Sequence, residues 1–405
     1  MATTNPLSGA ASPSASAPSS ARLLVLLAAM PQDELETMLA RLSESVAPDS
    51  LLVATADEAA KEAHPELRIV TAAESKSSWT ITAADYVSAF QLAQQHDARA
   101  VLMLGPESGS LSASGLRNLA DAVLDTPADL AVPRYDLPPR AGLVNSAILY
   151  PLSRSLFVSP TRFPLAVDLG LSLRMAARLS AAAQQFTRIN QPGASLWPVN
   201  EAAAAGFTIR EVGVGSRTIP QPADPDLNAI LPNIAGSLFS DVEAKAAFWQ
   251  RARQLPQPRS HQPPAQPLST HAPDDAAPTD IAPMVQAFRL AYTNLQEIWS
   301  IVLPPNTLLG LKRLSLTEGA AFRMPESLWA RIVYDFVIAY HLRTINRGHL
   351  LGALIPLYLA WVASHINAAA SGVDPEQHID AVAAAFASEK PYLVARWRWP
   401  DRFNP

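Results

Sequence analysis

The amino-terminal half of the chain alternates between short apolar runs and longer segments that place apolar residues at helical spacing. The runs, of five to nine residues, predict buried strands, and the segments at 31–46, 81–96 and 112–125 predict amphipathic helices. This alternation is typical of a mostly parallel sheet covered by helices on both faces. The predicted strands are 21–29, 51–55, 67–71, 98–104, 129–135 and 207–215.

Polar residues mark where several helices begin. Thr82 is predicted to cap the second helix, and either Ser112 or Ser114 the third. From residue 282 onward the pattern is helical almost throughout and carries no strand signal. The sequence therefore predicts an α/β part followed by an all-α part. Further helices are predicted at 143–157 and 169–185, with one or two more in 226–254.

Composition divides the chain further. The first residues are rich in Ser, Ala and Pro and predict a disordered tail, and residues 255–278 are too rich in Pro to form a helix or a strand ladder. The predicted organisation is a tail at 1–21, an α/β domain at 22–254, a linker at 255–281 and a helical domain at 282–405.

Charge and cysteine content exclude several classes of partner. The net charge is −5 and there is no dense run of Lys or Arg, so nucleic acid is not expected as a partner. The absence of cysteine excludes disulfides and thiolate metal sites, which fits a cytoplasmic location. The apolar stretch 350–363 is too short for a bilayer and contains Pro356, so it predicts a buried helix and no transmembrane segment.

Familiar catalytic motifs are missing from the sequence. It has no Gly-x-Ser-x-Gly elbow, no His-Glu-x-x-His pair, no Walker loop and no Rossmann glycine fingerprint. The most informative stretch is instead 133–172, PRYDLPPRAGLVNSAILYPLSRSLFVSPTRFPLAVDLGLS. It resembles a block of GT-A-fold glycosyltransferases related to mannosylglycerate synthase and glucosyl-3-phosphoglycerate synthase, especially a bacterial family-2-like branch. The matching residues are Pro133, Tyr135, Gly142, Asn145, Ser146, Tyr150, Pro151, Leu152, Pro164, Asp168, Gly170 and Ser172.

The resemblance implies a GT-A-like fold, with a mostly parallel sheet domain followed by an all-α carboxyl-terminal domain. It also implies transfer of a hexose from a nucleotide diphosphate sugar to a small polar or anionic acceptor. The oligomeric state is left open, a homo-oligomer included.

The positions that would bind a divalent cation depart from the family pattern. Where the resemblance implies Asp-x-Asp after a strand, this chain has Gly105, Pro106 and Glu107. Where it implies a histidine, the chain has Thr218 and Ile219. Since a cation that bridges carboxylates and diphosphate needs these ligands, no metal cofactor is predicted.

The candidate site residues each have two interpretations. Asp168 either orients a sugar or acceptor hydroxyl as the catalytic residue or caps a helix. Tyr135 and Arg140, just beyond a predicted strand, either bind an anionic acceptor or pack the loop. Arg134, like Arg140, is a candidate to neutralise diphosphate directly. Glu107 is the remaining substrate-site candidate, with a solvated loop residue as the alternative.

Lys76 is a third candidate cation for the diphosphate. Two functions follow from these patterns. The first is a glycosyltransferase that works without a metal. The second is a non-catalytic pseudo-glycosyltransferase that serves as a binding or scaffold protein, in which Ala166, Val167 and Trp79 partly fill the cleft.

Overall fold

The structure is a computed structural model of the chain. It describes residues 22–252, except 59, 76, 78, 127, 166 and 221–225, and residues 280–400. The predicted tail at 1–21 and nearly all of the predicted linker at 255–281 lie outside the described residues, as do Lys76 and Ala166.

Seven strands form one sheet in the order β3-β2-β1-β4-β6-β5-β7. All neighbouring strands are parallel except β6, which runs antiparallel to both β4 and β5. This sheet, followed by described residues that are helical from 282 onward, confirms the predicted α/β class with a mostly parallel sheet and a helical carboxyl-terminal part. The strands are β1 (Leu23–Leu27), β2 (Leu51–Thr55), β3 (Arg68–Thr71), β4 (Ala100–Leu104), β5 (Leu130–Asp136), β6 (Asp168–Ser172) and β7 (Ile209–Ser216).

Strand β6 corrects the prediction of a helix over 169–185. Residues Asp168–Ser172 form a strand, and the helix begins only at Leu173 because the Ser172 hydroxyl accepts a hydrogen bond from the Met175 N–H. Gly170 suits a strand inserted between two others, since a Cβ there would lie 3.1 Å from the Ala131 Cβ and the Leu119 carbonyl oxygen. The helix cap is therefore Ser172, and the interpretation of Asp168 as a cap is wrong.

Helices cover both faces of the sheet and then continue alone. Thr82 forms a capping box with Asp85, and the Ser112 hydroxyl accepts from the Gly115 N–H, as expected at both starts. The helices are α1 (Gln32–Ser45), α2 (Ala60–Ala63), α3 (Ala83–Gln95), α4 (Ala113–Leu124), α5 (Tyr150–Phe157), α6 (Leu173–Arg188), α7 (Pro198–Ala205), α8 (Leu227–Ala244), α9 (Ala246–Trp249), α10 (Ala282–Asn294), α11 (Gln296–Val302), α12 (Pro305–Ser315), α13 (Glu326–Leu342), α14 (Arg347–Ala370) and α15 (Pro375–Arg398).

The carboxyl-terminal helices pack directly on the part of the chain that carries the sheet. One apolar cluster joins residues of α5 and α8 to residues of α10 through α15. The buried Trp329 indole crosses this contact, donating a 2.7 Å hydrogen bond to the Ala147 carbonyl oxygen. The division into two domains therefore stays a prediction, while the packing between the two parts is extensive.

Helix α14 is long and apolar enough to cross a membrane. In its most apolar window 78% of the residues are buried inside the protein, against the other helices. Burial of this extent agrees with the core helix that the sequence predicts around Pro356.

Two buried histidines face each other between α14 and α15. The Nδ1 atoms of His365 and His378 lie 2.7 Å apart, so one ring donates and the other accepts. Burial, followed by the nearby His378, lowers the pKa of His365 to about 4, and burial also lowers the pKa of His378. Both rings are therefore neutral at neutral pH.

We expect this pair to make stability depend on pH. An unfolded His365 takes up a proton near pH 6.5 and the folded one only near pH 4, so stability is complete above about 6.5 and falls between these values. The contribution of His365 is roughly 3 kcal/mol in total, of which about 2 kcal/mol is lost between pH 7.5 and pH 5. Urea unfolding at pH 7.5 and pH 5 measures it. His365→Gln should reduce the change of unfolding free energy between the two pH values, and the exposed control His349→Gln should leave that change as it is. An equal change in the two variants would contradict the assignment of the pH dependence to His365.

Candidate active site at the carboxyl end of the sheet

The predicted catalytic residue lies where several strand ends meet. Asp168 is the first residue of β6, beside the carboxyl end of β4, and it is fully buried. Its Oδ1 accepts from the Gly105 N–H at 3.1 Å, and its Oδ2 accepts from the Tyr135 hydroxyl at 2.9 Å. The structure thus brings together two predicted site residues, Asp168 and Tyr135.

Alternation along β5 places Tyr135 inside the protein. Arg134 is exposed, whereas Tyr135 is buried beside Asp168. In the pairing of β5 with β7, Arg134 lies opposite Gly213 and Tyr135 opposite Gly215, so β7 carries one extra residue at this point. Burial, followed by the charge of Asp168, raises the pKa of the Tyr135 hydroxyl well above its usual range. It therefore stays protonated and donates.

The main partner of Asp168 is a residue that no sequence motif indicated. Arg217, directly after β7, donates from Nε to Oδ2 at 2.9 Å and from Nη2 to Oδ1 at 3.1 Å, and both side chains of this ion pair are fully buried. The only sequence signal was its position, immediately before Thr218, where the resemblance implies a metal-binding histidine.

The remaining donors of Arg217 close the loop after β4. Nη2 donates to the Pro106 carbonyl oxygen at 2.7 Å, and Nη1 donates to the carbonyl oxygens of Thr218 and Glu107. Nη1 also lies 3.3 Å from the Ser110 hydroxyl. Arg217 therefore joins the ends of β4, β6 and β7 through one guanidinium group.

The other predicted substrate-binding residues lie around this centre. Glu107 has an exposed side chain and a left-handed backbone with φ of 60°. Its backbone carbonyl, and not its carboxylate, accepts the hydrogen bond from Arg217. Arg134 and Arg140 are exposed on and after the end of β5, and Arg134 lies 3.6 Å from the Glu211 carboxylate. The substrate-binding roles of both arginines stay predictions.

A second buried arginine was also missed. Arg162 pairs with Glu376 at 3.1 Å and donates to the Ser146 hydroxyl at 3.0 Å, which ties the segment before β6 to the start of α15. With Arg134 and Tyr135 it lines a cavity of about 50 Å3. The motif residue Ser146 thus has a structural role in this chain.

The residues at the sheet end do not fit a divalent cation. Both carboxylate oxygens of Asp168 are already hydrogen-bonded, and Thr218 and Ile219 offer no imidazole. Across residues 22–252 and 280–400, apart from the undescribed positions, no three His, Cys, Asp or Glu side chains are grouped to hold a metal ion. The expectation of a metal-free site stays a prediction that this geometry favours.

Gly105 leaves no room for the first acid of an Asp-x-Asp motif. A Cβ at this position would lie 2.4 Å from the Val167 carbonyl oxygen, which belongs to the backbone. Val167 itself is buried. Substituting aspartate here would therefore displace the backbone before β6.

Two openings adjoin the centre. A cavity of about 20 Å3 at the ends of β1, β2 and β4 has room for about one water molecule. A cleft of about 1040 Å3 lies beside it, and Thr80 lines both. A nucleotide bound at the strand ends requires the surrounding loops to move.

Comparison with known proteins gives distant structural similarities. No family model and no curated protein matches the chain. Glucosyl-3-phosphoglycerate synthase from Mycobacterium tuberculosis, in complex with Mn2+, uridine diphosphate and glucosyl-3-phosphoglycerate, is 15% identical over 55% of this chain and 80% of that chain, with a TM-score of 0.36. A mycobacterial protein is 14% identical over 55% of this chain and 76% of that chain, with a TM-score of 0.37. Neither similarity assigns an activity.

We expect Asp168→Asn to destabilise the protein by about 3–5 kcal/mol, because it leaves the buried Arg217 charge without its counter-ion. The matched control is Asp125→Asn, since Asp125 forms an exposed pair with Arg22 at 3.7 Å. The control should cost below about 1 kcal/mol. Urea unfolding measures both, and similar losses in the two variants would show that Arg217 is not held as described.

Gly105→Ala should cost about 1–3 kcal/mol through the clash with the Val167 carbonyl. Gly109→Ala is the control, because a Cβ there would meet only the Glu34 side chain, at 3.5 Å. Thermal unfolding of the two variants compares them directly. A Gly105→Ala protein as stable as the control would show that the backbone before β6 can shift at little free-energy cost, which contradicts the tight packing described here.

Proposed function

We propose that the protein is a metal-independent glycosyltransferase of the GT-A-like class. The observation that carries this proposal is the guanidinium of Arg217, which lies fully buried between the ends of β4, β6 and β7. Asp168 neutralises its charge, and the pair holds the loop after β4 at the position where the family resemblance implies a divalent cation, so that loop is fixed without one.

The proposed reaction transfers a hexose from a nucleotide diphosphate sugar to a polar acceptor, which the sequence resemblance implies is small or anionic. The bond between the sugar C1 and the diphosphate oxygen breaks, the acceptor hydroxyl oxygen bonds to C1, and the hydroxyl proton passes to the departing diphosphate. The buried pair of Asp168 and Arg217 holds the loop after β4 in place. Arg134 and Arg140 are both exposed, so each is accessible to the diphosphate of a bound donor.

A second function is favoured by a different observation. Asp168 has no exposed surface and both its oxygens are engaged, so no substrate atom reaches it in this conformation. A non-catalytic binding protein needs no such access. In this second function the protein binds a ligand in its cleft and catalyses no reaction on it.

Assays of transfer with and without chelator test the proposal. Uridine and guanosine diphosphate sugars serve as donors, including uridine diphosphate glucose, which is bound in one of the mycobacterial synthase structures. We expect release of nucleoside diphosphate that is unchanged in excess chelator and in added manganese.

Arg134→Ala combined with Arg140→Ala should lower kcat/KM by about 10-fold or more through lost diphosphate contacts. Arg99→Ala, at the opposite end of β4, is the exposed control. A strict requirement for manganese or magnesium would contradict the proposal. Donor binding by calorimetry without any turnover would establish the second function instead.

A further inference from the structure

The large cleft is built from elements that the sheet-end site does not use. One wall is formed by α6, the segment 191–197 and α7, and the other by α8, with Tyr340 and Leu351 also contributing. Its volume of about 1040 Å3 is at the upper end of the ~300–1,000 Å3 usual for small-ligand sites. A glycerate-sized acceptor would fill only a small part of it.

The charges in the cleft balance one another. Lys245 pairs with Asp241 and lies 3.0 Å from Glu201, and Arg178 donates to Glu201 at 2.7 Å. These two cations and two anions are the charged side chains that line the cleft in the described part of the chain. An anionic ligand therefore finds no excess positive charge here.

Carboxamides supply the uncommitted hydrogen-bonding groups. Gln185, Gln191 and Asn233 line the cleft, and all three residues are exposed. None of their amide groups hydrogen-bonds to another described residue. Each amide offers two donors and one acceptor oxygen, which matches the mixed donor and acceptor character of sugar hydroxyls.

Aromatic rings complete the lining. Trp79 and Phe186 are half-buried and both face the cleft. Ring faces of this kind pack against the apolar C–H faces of a sugar while its hydroxyls reach polar side chains. Trp79 is followed by Thr80, which also lines the small cavity at the strand ends, so the aromatic end of the cleft lies toward the sheet-end site.

We propose that this cleft binds a neutral oligosaccharide of several sugar units. Balanced charge, uncommitted carboxamides, aromatic lining residues and volume together select this ligand over a small anion. Its role as the acceptor of hexose transfer, in place of the small or anionic acceptor that the resemblance implies, rests on the function proposed above. Binding itself does not, because the cleft residues are separate from Asp168 and Arg217.

Saturation-transfer NMR and calorimetry with maltotetraose, cellotetraose and mannotetraose test the inference, with 3-phosphoglycerate as the anionic comparison. We expect at least one tetrasaccharide to bind, with an affinity unchanged by 0.5 M salt because the ligand carries no charge. Trp79→Ala should weaken binding 10-fold or more, and Gln185→Ala, at an exposed position, should weaken it about 3-fold or more.

The matched control is Trp399→Ala, since Trp399 is 62% exposed and lies away from the cleft. Circular dichroism of each variant verifies folding. The inference is overturned if no tetrasaccharide binds at 10 mM, if 3-phosphoglycerate displaces the bound sugar from the cleft, or if Trp79→Ala and Gln185→Ala bind as the control does. These binding experiments contain no nucleotide sugar, so they test the cleft alone. A protein that fails to transfer hexose but binds a tetrasaccharide contradicts the proposed function and leaves this inference standing.

Discussion

The ion pair between Arg217 and Asp168 is the interaction on which the sheet end depends. Two opposite charges removed from water are stable only if their geometry is good and their other hydrogen-bonding groups are satisfied. Here Tyr135, the Gly105 N–H and three backbone carbonyls meet those requirements. The strand order, the buried Tyr135 and the closed loop after β4 therefore form one arrangement, in which loss of any partner leaves a buried charge or hydrogen-bonding group unsatisfied.

Much of the fold could be predicted because it follows from local pattern. Buried parallel strands are continuous apolar runs, and Thr82 and Ser112 are capping residues whose side chains satisfy N–H groups at helix starts. Strand β6 could not be predicted in this way. Its five residues run directly into a helix, and its strand character comes from pairing with β4 and β5, which are distant in sequence. Tertiary pairing overrode the helical pattern there.

The candidate site was predictable only in part. The motif resemblance named Tyr135 and Asp168, and the structure joins them by a hydrogen bond. Arg217 and Arg162 were missed because each acts through partners that are far away in sequence, on the loop after β4 and on α15. Neither periodicity nor composition indicates which distant residues a long side chain contacts. The same limit applies to the large cleft, because Tyr340 of α13 and Leu351 of α14 join its lining from positions far along the chain from α6, α7 and α8.

Helix α8 has an apolar face that packs in the core and a polar face that lines the cleft. Its apolar face packs into the cluster shared with α13 and α14, where Gly236 permits close approach to Leu351, and its polar face is a wall of the cleft. The Ser240 hydroxyl lies 2.8 Å from the Tyr340 hydroxyl, which fixes the helix at that contact. A displacement of the carboxyl-terminal helices consequently changes the width of the cleft. By thermodynamic reciprocity, a ligand bound in the cleft then also holds those helices at one separation from α8.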